Sequence, residues 1–433
     1  MGNAHLRIGL CLGPTWLRGQ SEKSDDRGCF DLDDPIELAI VQAKAAEDAK
    51  LDLVFKPDYL TDVHARTVRK RQGVGVDPTL LMAAVAQATQ KIGLVTTAST
   101  TFNPPYIIAR QMQSLNWISR GRAGWNVVTS IEGAENFGFD AMPSPEERYR
   151  KAAEFLDLVH KLWRSAPAIG DRRDGAFVPV DHHGEFFKVK GPLNVPEHSE
   201  GSPVLFQAGA SEIGKDFAAS IADATFAATP DKQVAIDLRA DLRRRAHAQG
   251  RRADDVRVLP GIYMFLAETR EEAFAMHERA HAHLSPQMRF EAAKAVLGVD
   301  ISHMAMSDRV TLDVVGSSLG PVRSKTHAEL LCRYIETTTP TVEQLLRRPE
   351  VVGSAHWVSV GTVSDVMNEI VEWFSDGAID GFIAIPGGSS QSLSLFLDEL
   401  VPGLAAKGLF RHDYETSTLR GHLGIPAQTD ALR

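Results

Sequence analysis

Cysteine is scarce in this chain. Cys11, Cys29 and Cys332 are the only three in 433 residues, an odd number without metal-ligand spacing. That excludes a disulfide framework and a zinc site, and it points to a reducing compartment. Long apolar runs are missing too: nothing approaches the ~18 consecutive apolar residues of a membrane span. The opening Met1 to His5 lacks the charged stretch and apolar core of a signal peptide. The expected location is therefore the cytoplasm, with no membrane partner. Positive charge is also in deficit, with a formal net charge of −9. The one dense basic run, Arg243, Arg244 and Arg245 with Arg251 and Arg252, reads as the solvated end of a polar helix rather than a nucleic-acid face.

Common catalytic signatures are absent as well. No Gly-x-Gly-x-x-Gly follows the first strand, and there is no Gly-Lys-Ser phosphate loop, no His-Glu-x-x-His helix and no Gly-x-Ser-x-Gly elbow. His182 and His183 stand beside Asp181, but adjacent side chains in an extended loop point apart. A hydrogen-bonding or solvent role fits them better than a metal pair.

What is present is a repeated alternation. With 43% hydrophobic and 24% charged residues, the chain has the balance of a soluble globular protein with a sizeable core. Short β-branched runs predict strands at Leu6 to Leu12, Leu51 to Phe55, Ile92 to Thr97, Ala123 to Thr129, Val204 to Gln207, Ala224 to Ala228, Val256 to Leu266 and Gly381 to Ile385. Between them, helical periodicity predicts Pro35 to Lys50, Pro78 to Gln90, Ile107 to Ile118, Tyr149 to Trp163, Glu212 to Ile221, Lys232 to His247, Val363 to Phe374 and Leu393 to Lys407. Eight such units running from end to end imply an α/β fold, a single (β/α)8 barrel over residues 1–433. An open doubly wound sheet is the alternative. Residues 165–203 and 286–356 break the repeat and read as insertions.

Active sites of such barrels lie at the C-terminal ends of the strands. Phe55 to Asp58, Thr96 to Thr101, Asn126 to Ser130 and Gln207 to Ser211 are the polar strand ends here. Gly209-Ala210-Ser211, leading into a helix, offers free N–H groups and a positive dipole end to an anion, which makes a phosphate seat. Ser211 as a plain helix cap is the competing reading. The Ser119 to Asn126 segment, taken alone, reads as a helix end at Gly121 followed by a buried strand.

Ser119 to Ser130, Asn136 to Asp140, Glu147 to Tyr149, His183 to Phe187, Gly191 to Leu193, Pro203 to Lys215, Gly377 to Pro386 and Phe410 to Pro426 together resemble one branch of the luciferase-like flavin-dependent monooxygenases. That branch contains the nitrilotriacetate, dibenzothiophene-sulfone and long-chain-alkane monooxygenases and riboflavin lyase. The resemblance implies a barrel enzyme that takes reduced FMN (FMNH2) from a separate NAD(P)H-dependent flavin reductase and reacts it with O2. It would then oxidise a small heteroaromatic, sulfur- or nitrogen-containing substrate, as a homodimer or larger homo-oligomer. It also implies that Asp58, Thr97, Asn126, Tyr149, Ala210 and Ser211 contact FMN, with Ser211 at the phosphate and Asn126 and Thr97 meeting the ring.

The departures from the branch matter for mechanism. Pro14 follows Gly13 where relatives carry Gly-His, Ile131 stands where some have histidine after strand four, and Pro145 replaces a histidine four residues before Tyr149. Three imidazoles that could act as acid or base groups are thus missing from the expected wall. Oxidative breakdown of a flavin, a deazaflavin-dependent oxidoreductase and a non-catalytic flavin-binding barrel are the alternatives this leaves open.

Overall fold

In the computed structural model, the described residues are 5–17, 29–60, 75–166, 177–316, 322, 324–353 and 355–426. The stretch Met1 to Ala4 and parts of both expected insertions, 167–176 and 317–321 among them, lie outside these.

All eight expected strands form, within a residue or two of the expected bounds. They are β1 (Arg7–Cys11), β2 (Leu53–Lys56), β3 (Gly93–Ser99), β4 (Ala123–Val128), β5 (Val204–Gln207), β6 (Ala224–Ala227), β7 (Arg257–Leu266) and β8 (Gly381–Pro386). Each pairs in parallel with the next, and β8 returns to β1 through Arg7↔Gly381 and Ile8↔Phe382, so the sheet closes as a (β/α)8 barrel. Alternation along each strand sends one set of side chains into the lumen: Cys11, Leu53, Phe55, Val95, Val204, Phe206, Ala224, Leu259 and Ile383 form one buried cluster there. The opposite faces pack against the ring of helices.

The N-terminal end of the lumen is stoppered by the chain's own C-terminal segment. Leu419 and Leu423 join the lumen cluster. A Cβ on Gly93 would lie 2.4 Å from Leu419 Cδ1, and one on Gly124 2.8 Å from Leu419 Cδ2, so both strands need glycine for the leucine to enter. Fully buried Asp52 accepts from the Ile8 N–H at 2.7 Å and pairs with Arg411, fastening that segment. Among the described residues this leaves the C-terminal mouth for a ligand.

Several elements differ from the sequence expectation, among them a short hairpin of His182–His183 with Lys188–Val189. A short strand, Trp357–Gly361, pairs with the second half of β7 through Ile262 to Leu266. Its five residues, alternately buried and half-buried, carry little strand signal in the sequence. The helix Arg270–His281 follows β7 behind a Thr269/Glu272 capping box; its charged sequence hides its apolar stripe. The helix after β8 begins at Ser390 and opens into a wide π turn over Phe396–Leu400 just before Pro402, which has no N–H to offer the preceding turn.

The described residues of the 286–356 segment form helices Pro286–Leu297, Lys325–Thr338 and shorter pieces around their own cluster of Leu297, Leu331, Ile335, Val342 and Leu345. The basic run is consumed by carboxylates: Arg243 meets Asp254 at 2.7 Å, and Arg245 meets Asp216 at 2.5 Å and Asp241 at 3.0 Å. Among the described residues no helix is long and apolar enough to cross a membrane, and no cluster of histidine, cysteine and carboxylates could hold a metal.

Candidate active site at the barrel mouth

The mouth is built from the tops of consecutive strands. On β3 and β4, Thr97 and Asn126 are directly opposed in register. Both are about 4% exposed. The Thr97 hydroxyl donates to the Lys56 carbonyl at 2.8 Å, which forces its lone pairs toward Asn126, whose Nδ2 donates to it at 3.0 Å. Asn126 Oδ1 is left buried with no partner among the described residues. An orphaned acceptor of this kind is costly unless a bound molecule supplies a donor.

One strand over, β5 runs into Gly209-Ala210-Ser211. Ser211 caps the helix Glu212–Ile221, its hydroxyl accepting from the Gly214 N–H at 3.3 Å. Tyr149, on the helix Pro145–Arg164, packs edge-on against Phe217 at 5.5 Å and holds its hydroxyl over this turn. A Cβ on either Gly209 or Gly214 would sit 2.7 Å from Tyr149 Oη, so the two glycines shape a cradle under the phenol. Hydroxyl, capping serine and helix N-terminus therefore converge, as anion binding requires. A cavity of about 370 Å³ opens alongside, lined by Ala210, Lys215, Ala228, Asp241 and Arg333, with the Lys325–Thr338 helix as one wall.

Asp58 lies just beyond β2, half-buried. Burial, and then the nearby Asp77 charge, hold its carboxyl above the usual carboxylate range. The six residues expected at the site thus occupy the C-terminal ends of β2 to β5 and the helix that follows β4. A polar rim backs them: Arg148 donates to the Thr129 carbonyl at 3.3 Å, Ser130 Oγ meets Ser99 Oγ at 2.7 Å, and Lys151 Nζ donates to the Thr101 carbonyl at 2.7 Å.

The positions of the missing imidazoles are spent otherwise. Ile131 is 59% exposed, and Pro145 opens its helix. One histidine approaches the lumen from elsewhere. His356, immediately before the extra strand, places its ring over Gly261 and 4.9 Å from Phe226. His281 lies 5.0 Å from Trp16, which packs 4.7 Å from Tyr263. Nothing in their local sequence distinguishes them from the other histidines. The available signal was Gly261 inside a strand, which marks a close approach by something else. His182, by contrast, bonds Glu154 at 2.9 Å, in the hydrogen-bonding role expected of it.

A closed parallel barrel with an apolar lumen, an open mouth and an anion cradle beside a buried Asn–Thr pair has the layout of a barrel enzyme that takes an anionic ligand. The chain belongs to the luciferase-like monooxygenase family, whose model matches residues 14–378. It is 34% identical over 411 residues to nitrilotriacetate monooxygenase component A of Aminobacter aminovorans, covering 88% of each chain. Among solved structures, EDTA monooxygenase from Chelativorans sp. BNC1 superposes with a TM-score of 0.78 at 30% identity, covering 98% of this chain and 99% of that one. A riboflavin lyase solved with modified FMN and riboflavin also gives 0.78, at 27% identity over 98% and 96%.

Proposed function

We propose that this chain is the oxygenase half of a two-component system: an enzyme that receives reduced FMN from a separate NAD(P)H-dependent flavin reductase and, with O2, oxidises a small organic molecule. The observation that carries the reading is the pairing of an anion cradle at Tyr149, Gly209 and Ser211 with a buried, unsatisfied Asn126 acceptor on the adjacent strand. The first suits a phosphate and the second suits an N–H on a ring system, and FMN has both. The relative designated component A supports the division of labour between two proteins.

The residues present fit the cofactor. Ser211 and Tyr149 Oη would hold the phosphate, with Ala210 beside it, and the Glu212–Ile221 helix dipole favours the negative charge. Asn126 Oδ1, held in one orientation by Thr97, would accept from the ring, and Asp58 would meet its edge. Bound reduced FMN supplies the electrons and the oxygen-activating chemistry. The chain supplies orientation and exclusion of water: Cys11, Phe55, Phe206 and Phe226 make an apolar floor under the mouth, and the Leu419 stopper closes the other end.

The test is an anaerobic titration with reduced FMN followed by rapid mixing with O2. Saturable binding and an oxygen-dependent flavin spectrum distinct from free FMN are the expected result; a folded protein that fails to bind reduced FMN overturns the reading. Oxidative breakdown of a flavin is a second reading, favoured by the likeness to the riboflavin lyase. Riboflavin consumed in the same reaction mixture would select it.

A further inference from the structure

The extra strand Trp357–Gly361 delivers His356 into the barrel rather than onto its surface. On β7, Leu259, Gly261 and Tyr263 alternate onto one face, and Leu259 belongs to the lumen cluster. A side chain at 261 would therefore enter the lumen, but a Cβ there would meet His356 Nδ1 at 2.6 Å and Phe226 Cε2 at 2.8 Å. The imidazole fills the space that Gly261 leaves. It tilts against Phe226 at 4.9 Å and Tyr263 at 6.0 Å, and Phe226 in turn contacts Phe55 at 4.8 Å, the neighbour of Lys56, whose carbonyl holds Thr97. His356 thus stands in the lumen one aromatic pair away from the Thr97–Asn126 wall.

Its hydrogen bonding is one-sided. The Ala227 main chain takes one hydrogen bond from the ring, while Nδ1 has no partner among the described residues. Burial pushes the imidazole down to about 4, so it is neutral at pH 7 and its second nitrogen is a bare acceptor. A glycine and a histidine are both committed to placing a polar ring where the other strands put mostly apolar side chains, and no donor among the described residues meets it.

We propose that His356 is a substrate-positioning residue: its free ring nitrogen accepts a hydrogen bond from an N–H or O–H group of the molecule seated against Phe226 and Tyr263. Substrates bearing such a donor, as in an amide, amine or alcohol, would be selected over those without one. The assignment deepens the monooxygenase reading and rests on it. The donor has two possible sources, the reduced flavin ring or the organic substrate, and the test separates them.

Histidine-selective 15N NMR of the wild-type protein, with the His356 signal assigned by its loss in His356→Asn, reads the acceptor nitrogen directly. Three additions are made anaerobically: reduced FMN, benzamide, and N,N-dimethylbenzamide, which lacks the N–H. A shift toward a hydrogen-bonded nitrogen with benzamide but not its dimethyl analogue supports the substrate source; a shift with reduced FMN alone supports the flavin source. No shift with either donor overturns the proposal. His356→Phe, which keeps the ring but not the acceptor, should weaken whichever probe moved the signal tenfold or more, with His356→Asn between it and wild type; equal affinity in all three also overturns it. Failure of reduced FMN to bind wild type would instead defeat the cofactor reading, while the benzamide arm would still answer for His356.

Discussion

Asn126 on β4 donates to the Thr97 hydroxyl on β3 at 3.0 Å, and Thr97 hands its own proton to the Lys56 carbonyl on β2 at 2.8 Å. Three neighbouring strands are tied by one directional relay that ends in a buried, unpaired acceptor, Asn126 Oδ1. Thr97→Val keeps the shape and removes the relay. It leaves Asn126 Nδ2 without an acceptor, at a cost of about 1–3 kcal/mol. Urea unfolding should show that loss, and fluorescence titration should show FMN affinity reduced roughly tenfold because Asn126 is no longer oriented.

At Ser211 the cap and the phosphate seat can be separated. Aspartate caps helices as well as serine, so Ser211→Asp should leave the thermal midpoint within a degree or two while placing a negative charge where phosphate would lie. FMN affinity should fall tenfold or more, with riboflavin affinity little changed. Unchanged FMN binding would remove the phosphate from this seat.

The cradle under Tyr149 makes a steric prediction. Gly209→Ala brings a methyl to 2.7 Å from Tyr149 Oη and 2.8 Å from Gln207 Nε2. Overpacking of this kind costs about 1–3 kcal/mol. Adding Tyr149→Phe should restore part of the stability lost by Gly209→Ala but not FMN binding; a double variant no more stable than Gly209→Ala would place the clash elsewhere.

Acid sensitivity follows from buried neutral histidines. His422 is 3% exposed, and its Nε2 must donate to the Lys91 carbonyl at 2.7 Å, which makes Nδ1 the acceptor from Thr416 at 2.7 Å. Burial pushes His422 and His160 down to about 4 from 6.5. The unfolded chain therefore takes up protons first on acidification. The contribution of these two groups to stability should be flat above pH 6.5 and be lost between pH 6.5 and 4, by an amount on the order of a few kcal/mol together. Urea midpoints measured from pH 7.5 to 4.5 should show the fall, and His422→Gln should flatten it.

The eight strands were legible because β-branched runs bounded by polar strand ends survive any context, and in a barrel those ends mark the mouth. Thr97, Asn126 and Ser211 were therefore locatable from the chain alone, as was the cap-or-seat ambiguity at Ser211, since both roles use the same hydroxyl and helix end. The helix Arg270–His281 was hidden by its charge, and the strand Trp357–Gly361 by its brevity.

By itself the sequence determined the βα repeat and the polar residues at the strand ends, because period and composition are local properties; closure of the sheet, through Arg7↔Gly381, was decided by tertiary pairing. Tertiary structure alone decided which distant residues meet at the lumen. Leu419 stoppers one end through the space left at Gly93 and Gly124, and His356 enters the other over Gly261, supplying an imidazole the expected positions lack. A glycine in a strand announces that something will approach; only the folded chain shows what arrives, since the partner is set by loop-borne packing far away in sequence.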